Sequence, residues 1–436
     1  MQKGIVRIFT LIPAVWLIAE SGYGVLQVLG LVRSGHALFA ITGHFPNPGP
    51  YGGFVGMLTA ICATALLQWR GEMLGKKMEF WLLAVGVALG LIVLPASMSR
   101  AGWLSLVLSL AIWGIRTQKI QSWFRGKLLR AILALLVLII VCQGLFVIKK
   151  DSALGRLHIW HMEALSIMNH PWTGVGPGYF AYEYGERQAI YFQSAVRPAW
   201  EIRVAGCPEY AFNEYLKVGV EWGVGGLFLS SALAIGCCLL LIRKDNPLGY
   251  GAVSLSVFSF FSYPLVFWQF QFFAGLYLFA AVGTLFQKNS WFPFIAFLLI
   301  AFSWRTGRIK HTQSSDYREL YAQGHLLFDT GEYELALSIL EEGAAISCDP
   351  MFHNVMGRCH EALGRYLEAE REYRHAHYMV PGRLYPLILL QEMYLSQKDT
   401  LRAVKVLSEI EAIPVNPKNP NMKSLHERAE QNMNKI

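Results

Sequence analysis

Residues 79–116 read EFWLLAVGVALGLIVLPASMSRAGWLSLVLSLAIWGIR, and between the flanking Glu79 and Arg116 the one ionisable side chain is Arg100. A bilayer core about 30 Å thick is crossed by around 20 apolar residues of helix. Two runs of that kind, 79–97 and 101–116, meet here at a corner, Pro95-Ala-Ser-Met-Ser-Arg-Ala-Gly. The stretch therefore predicts two membrane-spanning helices joined by a tight turn with an arginine at its tip. Applied outward, the same criterion predicts further spans at 8–31, 51–69, 131–148, 218–242, 249–266, 268–286 and 290–304, nine in all. The fold class is all-α: a polytopic transmembrane bundle followed by a helical repeat domain.

Composition agrees. Of 436 residues, 54% are hydrophobic, 13% aromatic and 16% charged, where an ordinary soluble domain carries roughly 25% charged residues. The deficit lies in residues 1–304, whereas the remainder is rich in Glu, Arg, Lys and His. A single soluble globule, a disordered chain and a disulfide scaffold are excluded. The seven cysteines are scattered, mostly in apolar runs, with no CxxC or Cys/His metal spacing, so no metal and no cofactor is expected. The formal charge of +8 sits in short loops between apolar runs, which reads as an orientation signal rather than a nucleic-acid footprint. The apolar N-terminal stretch to Val32 is too long for a signal-peptide core and lacks a small-x-small cleavage site, so a retained helix is expected.

Basic residues cluster at every second connection: Lys3 and Arg7; Arg70, Lys76 and Lys77; Arg116 to Arg130; Arg243 and Lys244; Lys288. Positive-inside bias makes these cytoplasmic. The opposite face then receives residues 32–50, the Arg100 corner, the long segment 149–217, the Tyr263–Pro264 turn and the C-terminal tail. Arg305, Arg308 and Lys310 run against that scheme locally. The expected organisation is a transmembrane domain over 1–304 with a large outer loop at 149–217, a linker at 305–316 and a repeat domain at 317–436.

The tail repeats itself. Gly324, Gly331, Tyr333 and Ala336 recur 33 residues later as Gly357, Gly364, Tyr366 and Ala369, and Ala403 extends the series by another 34. Small residues at fixed points let paired helices approach closely. The pattern resembles the tetratricopeptide repeat, whose period is about 34, and predicts helical hairpins for docking or self-association.

Polar residues at membrane depth are functional candidates because burying them there costs several kcal/mol unless they are paired or solvated. Arg100 is either an interfacial snorkelling arginine or a guanidinium aimed at an anionic headgroup, whose phosphate oxygens its planar fork fits. Segment 149–217 exceeds a plain connection. Leu157, Trp160, Ala164, Leu165 and Met168 recur at helical spacing and predict an amphipathic helix at the interface, with Arg156 near its start. His158 and His161 read as interfacial. Gly174 and Gly176, in His170-Pro-Trp-Thr-Gly-Val-Gly-Pro-Gly-Tyr-Phe, either offer backbone amides to a ligand or form a plain re-entry turn. Arg187, Arg197 and Arg203, interleaved with tyrosines and Trp200, suit sugars and phosphates together, although an aromatic belt explains many of these rings equally well. Asn213 and Glu214 stand at a span mouth and need partners.

Four segments resemble one family in one order. Thr42-Gly-His-Phe-Pro-Asn47-Pro looks like the Gly-x-Phe-x-Asn-Pro motif of the O-antigen ligase and polymerase superfamily. Ser99-Arg-Ala-Gly-Trp resembles its Ser-Arg-Gly/Ala corner. Arg156-x3-Trp160 with Pro171-x2-Gly-x-Gly-x-Gly-x-Phe180 resembles its outer loop. Asn213-Glu-Tyr-Leu with Glu221-x-Gly-x-x-Gly226 is similar to its re-entry motif. The resemblance covers about residues 20–290.

It implies a membrane glycosyltransferase that moves a polyprenyl-diphosphate-linked glycan to an acceptor (lipid A core sugar, another glycan or protein) at the outer face of the cytoplasmic membrane. Arg100 and Arg156 take the family's diphosphate-facing positions. Asn47, Trp160, Gly174, Gly176, Asn213 and the three loop arginines are the implied substrate-binding set. Two departures stand out. The family histidine falls on Phe212, and members typically carry several more N-terminal spans. With no imidazole at 212, Glu209 or Glu214 is the expected base. A rival expectation is a catalytically inactive scaffold of a polysaccharide assembly complex acting through its repeats. A transporter is disfavoured by the absence of matched, Gly/Pro-broken halves.

Overall fold

The computed structural model describes residues 2–69, 74–116, 150–285, 316–413 and 420–433. Among them all regular secondary structure is helical, with no strand. It divides into two compact units: Met1–Ile148, Phe212–Tyr215 and Phe228–Gly307, and Lys149–Ala211, Leu216–Leu227 and Arg308–Ile436.

The first unit contains α1 (Gln2–Val28), α2 (Pro48–Leu67), α3 (Leu74–Ser97), α4 (Arg100–Arg116), α9 (Pro247–Phe261), α10 (Trp268–Leu285) and most of α8 (Glu214–Arg243). Its centre is α2. Asn47 caps that helix, accepting from the amide of Gly49 at 3.0 Å, and Pro48 follows at the position where a missing N–H costs nothing. Sixteen of its twenty residues are buried. Its glycines let neighbours touch backbone. A methyl group on Gly52 would lie 2.4 Å from Ser99 Cβ, one on Gly53 2.2 Å from Phe258, and one on Gly56 2.8 Å from the carbonyl of Gly102. Small residues at this spacing are how helices pack without a hydrophobic driving force in lipid. Around α2, Phe45, Phe54, Phe258, Phe270 and Phe273 form a buried aromatic cluster.

Among the described residues, four helices are long and apolar enough to cross a membrane: Thr10–Val28, Pro48–Leu67, Met78–Ser97 and Glu214–Arg243. The spans predicted at 101–116, 249–266 and 268–286 are the helices α4, α9 and α10, of 17, 15 and 18 residues. The predicted turn at Tyr263–Pro264 is present. α9 stops at Phe261, and a single 3-10 turn over Pro264–Val266 precedes α10. Spans predicted at 131–148 and 290–304, and nearly all of the linker, lie outside the described residues.

The second unit joins the long segment after residue 149 to the C-terminal hairpins. It holds α5 (Lys150–Asn169), α6 (Phe180–Ser194), α7 (Ala199–Val204), residues 216–227 of α8, and then α11 (Tyr317–Asp329), α12 (Tyr333–Ala344), α13 (Met351–Ala362), α14 (Tyr366–Met379), α15 (Tyr385–Ser396), α16 (Thr400–Glu411) and α17 (Pro420–Met433). The last seven form three antiparallel hairpins and a final helix. The repeated small residues sit where the helices meet. A methyl on Gly324 would strike Leu340 at 2.6 Å and one on Gly357 would strike Tyr373 at 2.4 Å. Ala336, Ala369 and Ala403 are fully buried. Gly331 and Gly364 turn the chain inside the first two hairpins with φ of 84° and 73°, where a side chain would be strained.

Residues 149–217 are thus no free loop. A disulfide between Cys207 and Cys348 links this segment to the turn between α12 and α13, across 141 residues of chain. The scattered-cysteine reading missed it because the partners are adjacent only in the folded chain. Nearby, Gly185 on α6 packs so closely that a methyl there would lie 3.1 Å from Cys348 Cα.

Candidate functional site

In the first unit the expected corner is a built turn. Met98 has φ of 49°, and the side chains around it knit the turn together. Ser97 Oγ donates to the carbonyl of Leu94 at 2.7 Å, Ser99 Oγ donates to the carbonyl of Gly49 at 2.9 Å, and Ser99 Oγ also accepts from the amide of Gly102. Arg100 opens α4 on this corner and is half-buried. The serines therefore fix the backbone that carries the guanidinium.

The same unit gathers other predicted residues. Asn47 donates from Nδ2 to the hydroxyl of Tyr263 at 2.7 Å, so both ends of its amide are used in bracing α2. The Tyr263 ring meets Phe212 edge-on at 5.1 Å. Asn213 caps α8 through the amide of Tyr215 at 3.0 Å. Glu214, 7% exposed, accepts from the amide of Leu265 at 2.8 Å. Phe212 itself has φ of 53°, a left-handed conformation that a bulky residue rarely adopts and that histidine tolerates better. The phenylalanine side chain there has no atom that can accept or donate a proton. One further acid-base pair sits here: Glu20, 4% exposed, lies 3.1 Å from Nδ1 of His44, whose ring stacks on Tyr23 at 4.3 Å.

In the second unit the glycine-rich stretch clasps α8. The amide of Val175 donates to the carbonyl of Val220 at 2.9 Å, that of Gly176 to the carbonyl of Glu221 at 3.0 Å, and that of Val224 to the carbonyl of Pro171 at 2.7 Å. The amide of Gly178 donates to the Glu221 carboxylate at 3.1 Å. Gly223 breaks the helix at φ 70°, ψ −171°. A methyl on Gly174 would lie 2.3 Å from the carbonyl carbon of Glu221, and one on Gly223 would lie 2.5 Å from the Pro171 oxygen. Of the two readings of this stretch, amides offered to a ligand or a plain turn, the hydrogen bonds fit the turn: the amides of Gly176 and Gly178 go to Glu221 of α8 and that of Gly174 to the carbonyl of His170. The glycines are needed because two backbones touch.

The arginines of the segment fall into separate local pairings. Arg187 is held by Glu183 one turn away at 2.9 Å, with 15% of its side chain exposed. It borders a cleft of about 330 Å³ with Leu165, Met168, Ile190 and Tyr191. Arg197 closes the end of α6, donating to the Tyr191 carbonyl and stacking 3.7 Å above that ring. Arg203 pairs with Asp151 at 3.6 Å. Tyr191 is common to two of the three: it lines the cleft with Arg187 and lies beneath Arg197. Glu209 is also committed: its carboxylate pairs with Arg318 and accepts from the Tyr317 hydroxyl at 2.7 Å.

Helix α5 carries Arg156 and Trp160, both half-buried. Its buried face is not the predicted apolar stripe but His158, Met162, Glu163, Ser166 and Ile167. Leu157 and Met168 of that stripe are 49% and 76% exposed. The helix thus leaves part of its apolar stripe exposed and buries a mixed face of two apolar and three polar side chains. His158, read as interfacial, is buried, with Nε2 2.8 Å from Gln188 Oε1, and burial pushes its imidazole below the usual value. Gln188 is fully buried and ties four pieces together. It accepts from the Tyr184 hydroxyl at 2.8 Å and donates to the carbonyls of Gly206 and Met379.

Two features escaped the sequence reading. Neither Glu163 oxygen has a hydrogen-bond partner among the described residues, and burial raises its carboxyl well above the ordinary range. Its position one residue after Met162, inside the α5 hydrophobic period, was the available signal. Glu186, His353 and His375 bring donor atoms within 4.8 Å of one another, with His353 and His375 22 residues apart and Glu186 far upstream.

A family model described as O-antigen ligase matches residues 85–231, about a third of the chain. The match takes in the Arg100 corner, α5 with Arg156 and Trp160, the glycine clasp, Glu214 and the Glu221 kink; Asn47 lies before it. No curated protein and no solved structure matches the chain. Residues 85–231 are therefore similar to the O-antigen ligase family, in a chain whose described residues include four helices long and apolar enough to cross a membrane.

Proposed function

We propose that this protein is a membrane glycosyltransferase of the O-antigen ligase or polymerase type. It moves a polyprenyl-diphosphate-linked glycan to an acceptor hydroxyl or amide at the outer, periplasmic face of the cytoplasmic membrane. The acceptor is a lipid A core sugar, a growing glycan or a protein. The observation that carries the reading is the family match over 85–231, which contains a serine-braced arginine corner and the α5 arginine.

Acceptor oxygen or nitrogen attacks the anomeric carbon, the bond from that carbon to the diphosphate oxygen breaks, and the diphosphate leaves on its polyprenyl carrier. The acceptor proton passes to a base. Negative charge grows on the leaving group, and fixed guanidinium groups in a low-dielectric site stabilise it. Arg100 and Arg156 are assigned that role. Trp160 and the loop arginines Arg187, Arg197 and Arg203 lie along the segment assigned to the glycan. Glu214 suits the base better than Glu209, because Glu209 is neutralised by Arg318 whereas Glu214 sits beside the vacated histidine position. No cofactor takes part in these steps.

The Cys207–Cys348 bridge supports the outer placement of both the 149–217 segment and the repeat domain, since such bonds persist in oxidising compartments. The hairpins, similar to tetratricopeptide repeats, then serve a protein partner on that side. A second reading, an inactive assembly scaffold, is favoured by Phe212, which has no proton-accepting atom.

The test is the glycan profile of a deletion strain complemented with Arg100→Ala or Arg156→Ala. Loss of chain length indicates a polymerase, and free lipid-linked chains indicate a ligase. Each substitution is expected to lower transfer on the order of 100-fold or more. Full complementation by both variants removes the enzyme reading and leaves the scaffold.

A further inference from the structure

Away from the residues assigned to glycan transfer, α13 and α14 hold two imidazoles in edge contact. The rings of His353 and His375 are 4.5 Å apart between centroids. Helix α6 brings Glu186 to them, its Oε1 2.9 Å from Nε2 of His375. Glu372 stands behind His353, its Oε2 2.7 Å from Nδ1. The four side chains are 13–30% exposed, so the group is sheltered yet reachable by solvent. All four belong to the second compact unit.

We propose that Glu186, His353 and His375 bind one divalent transition-metal ion of the zinc class, with Glu372 orienting His353. Two imidazole nitrogens and one carboxylate oxygen are borderline donors that suit Zn²⁺, Co²⁺, Ni²⁺ or Cu²⁺ and give Mg²⁺ or Ca²⁺ little purchase. Glu372 accepts the Nδ1 proton of His353, which leaves Nε2 as the lone-pair donor; a carboxylate behind a ligating histidine is the usual way of fixing its tautomer. The ion takes the place of the proton shared between His375 Nε2 and Glu186 Oε1. Bonds of about 2.1 Å at tetrahedral angles put donors about 3.4 Å apart. The 2.9 Å pair therefore opens slightly while the wider separations, up to 4.8 Å, close by side-chain rotation. Water completes the fourth position.

The ion would tie α6 to α13 and α14 at a second point besides the Cys207–Cys348 bridge. It holds the arginine-bearing segment onto the hairpins without taking part in transfer. The site was invisible to spacing rules because its ligands come from three helices, one of them more than 160 residues away from the others.

The full-length protein, purified in detergent, stripped with chelator and dialysed, is titrated with Zn²⁺, with Co²⁺ and with Mg²⁺. The expected result is one Zn²⁺ per chain by elemental analysis, a rise in melting temperature with Zn²⁺ and none with Mg²⁺, and the visible absorption of tetrahedral Co²⁺. Glu186→Gln and His375→Gln should lose the stoichiometric ion and the thermal shift. Glu372→Gln should weaken Zn²⁺ affinity about 10- to 100-fold. His325→Gln, at an exposed histidine paired with Asp329, serves as the control and should change nothing. Absence of stoichiometric Zn²⁺ and of the tetrahedral Co²⁺ spectrum in the wild-type chain overturns the proposal whatever the variants do. So does wild-type affinity in both Glu186→Gln and His375→Gln. In either case the four side chains form an ion-paired cluster only.

Discussion

Glu163 shows how a single side chain sets a pH dependence. Its carboxyl is buried in the second unit without a partner among the described residues, and burial keeps it protonated well above the ordinary carboxylate range. In the unfolded chain it ionises near the usual value. Between the two values the folded state holds a proton that the unfolded state has released. Its contribution to stability is therefore full below the unfolded value and is lost as pH rises toward the folded one. Glu163→Gln should remove that dependence, flattening the stability curve above pH 4.5 by up to about 1.4 kcal/mol per pH unit. Chemical denaturation of the purified chain at several pH values measures this; an unchanged slope would mean that Glu163 is ionised and solvated in the folded chain. Residue-scale function was only partly legible. Arg100 could be singled out because an arginine between two apolar runs is conspicuous in any order of reading. Nothing in the letters around Glu209 announces Arg318 and Tyr317, which neutralise it from more than a hundred residues away.

At the scale of elements, the glycine clasp on α8 carries the sharpest contrast. Gly223 and Gly225 are two residues apart, yet a methyl on the first would lie 2.5 Å from the Pro171 oxygen at a φ of 70°, and one on the second meets nothing within 4 Å. Gly223→Ala should cost about 2 kcal/mol or more in backbone strain alone, beyond the clash. Gly225→Ala should be neutral or stabilising by about 0.5–1 kcal/mol, since alanine favours the helix. Thermal melts and limited proteolysis of residues 170–180 distinguish them, and equal behaviour of the two variants would refute the clasp. Helix positions were readable from apolar runs; the caps Asn47-Pro and Asn246-Pro appeared only in the structure. Which face of α5 turns inward was not readable. A stripe of apolar residues can face a protein core or a lipid surface, and here the buried side is a different, mixed one: His158, Met162, Glu163, Ser166 and Ile167.

For the whole molecule, the Cys207–Cys348 bridge makes a statement about topology that thiol chemistry can check. Intact cells should yield a chain whose two cysteines resist alkylation until reduced, and Cys207→Ser should expose Cys348. Closing so long a loop stabilises the folded state by about 2–5 kcal/mol, so the variant should also melt earlier. Ready alkylation of both cysteines without reductant would place them in a reducing compartment and would remove the support for an outer repeat domain. The sequence by itself determined that this is a helical membrane protein with a repetitive tail and a corner arginine. Those properties depend on local composition and period, and a bilayer or a helix reads both directly along the chain. Only the tertiary structure decided that residues 150–211 pack with the tail hairpins, that the amides of Gly176 and Gly178 are spent on α8, and that two histidines and a glutamate converge. These are contacts between residues far apart in the chain, set by how whole helices pack, and no local pattern encodes them.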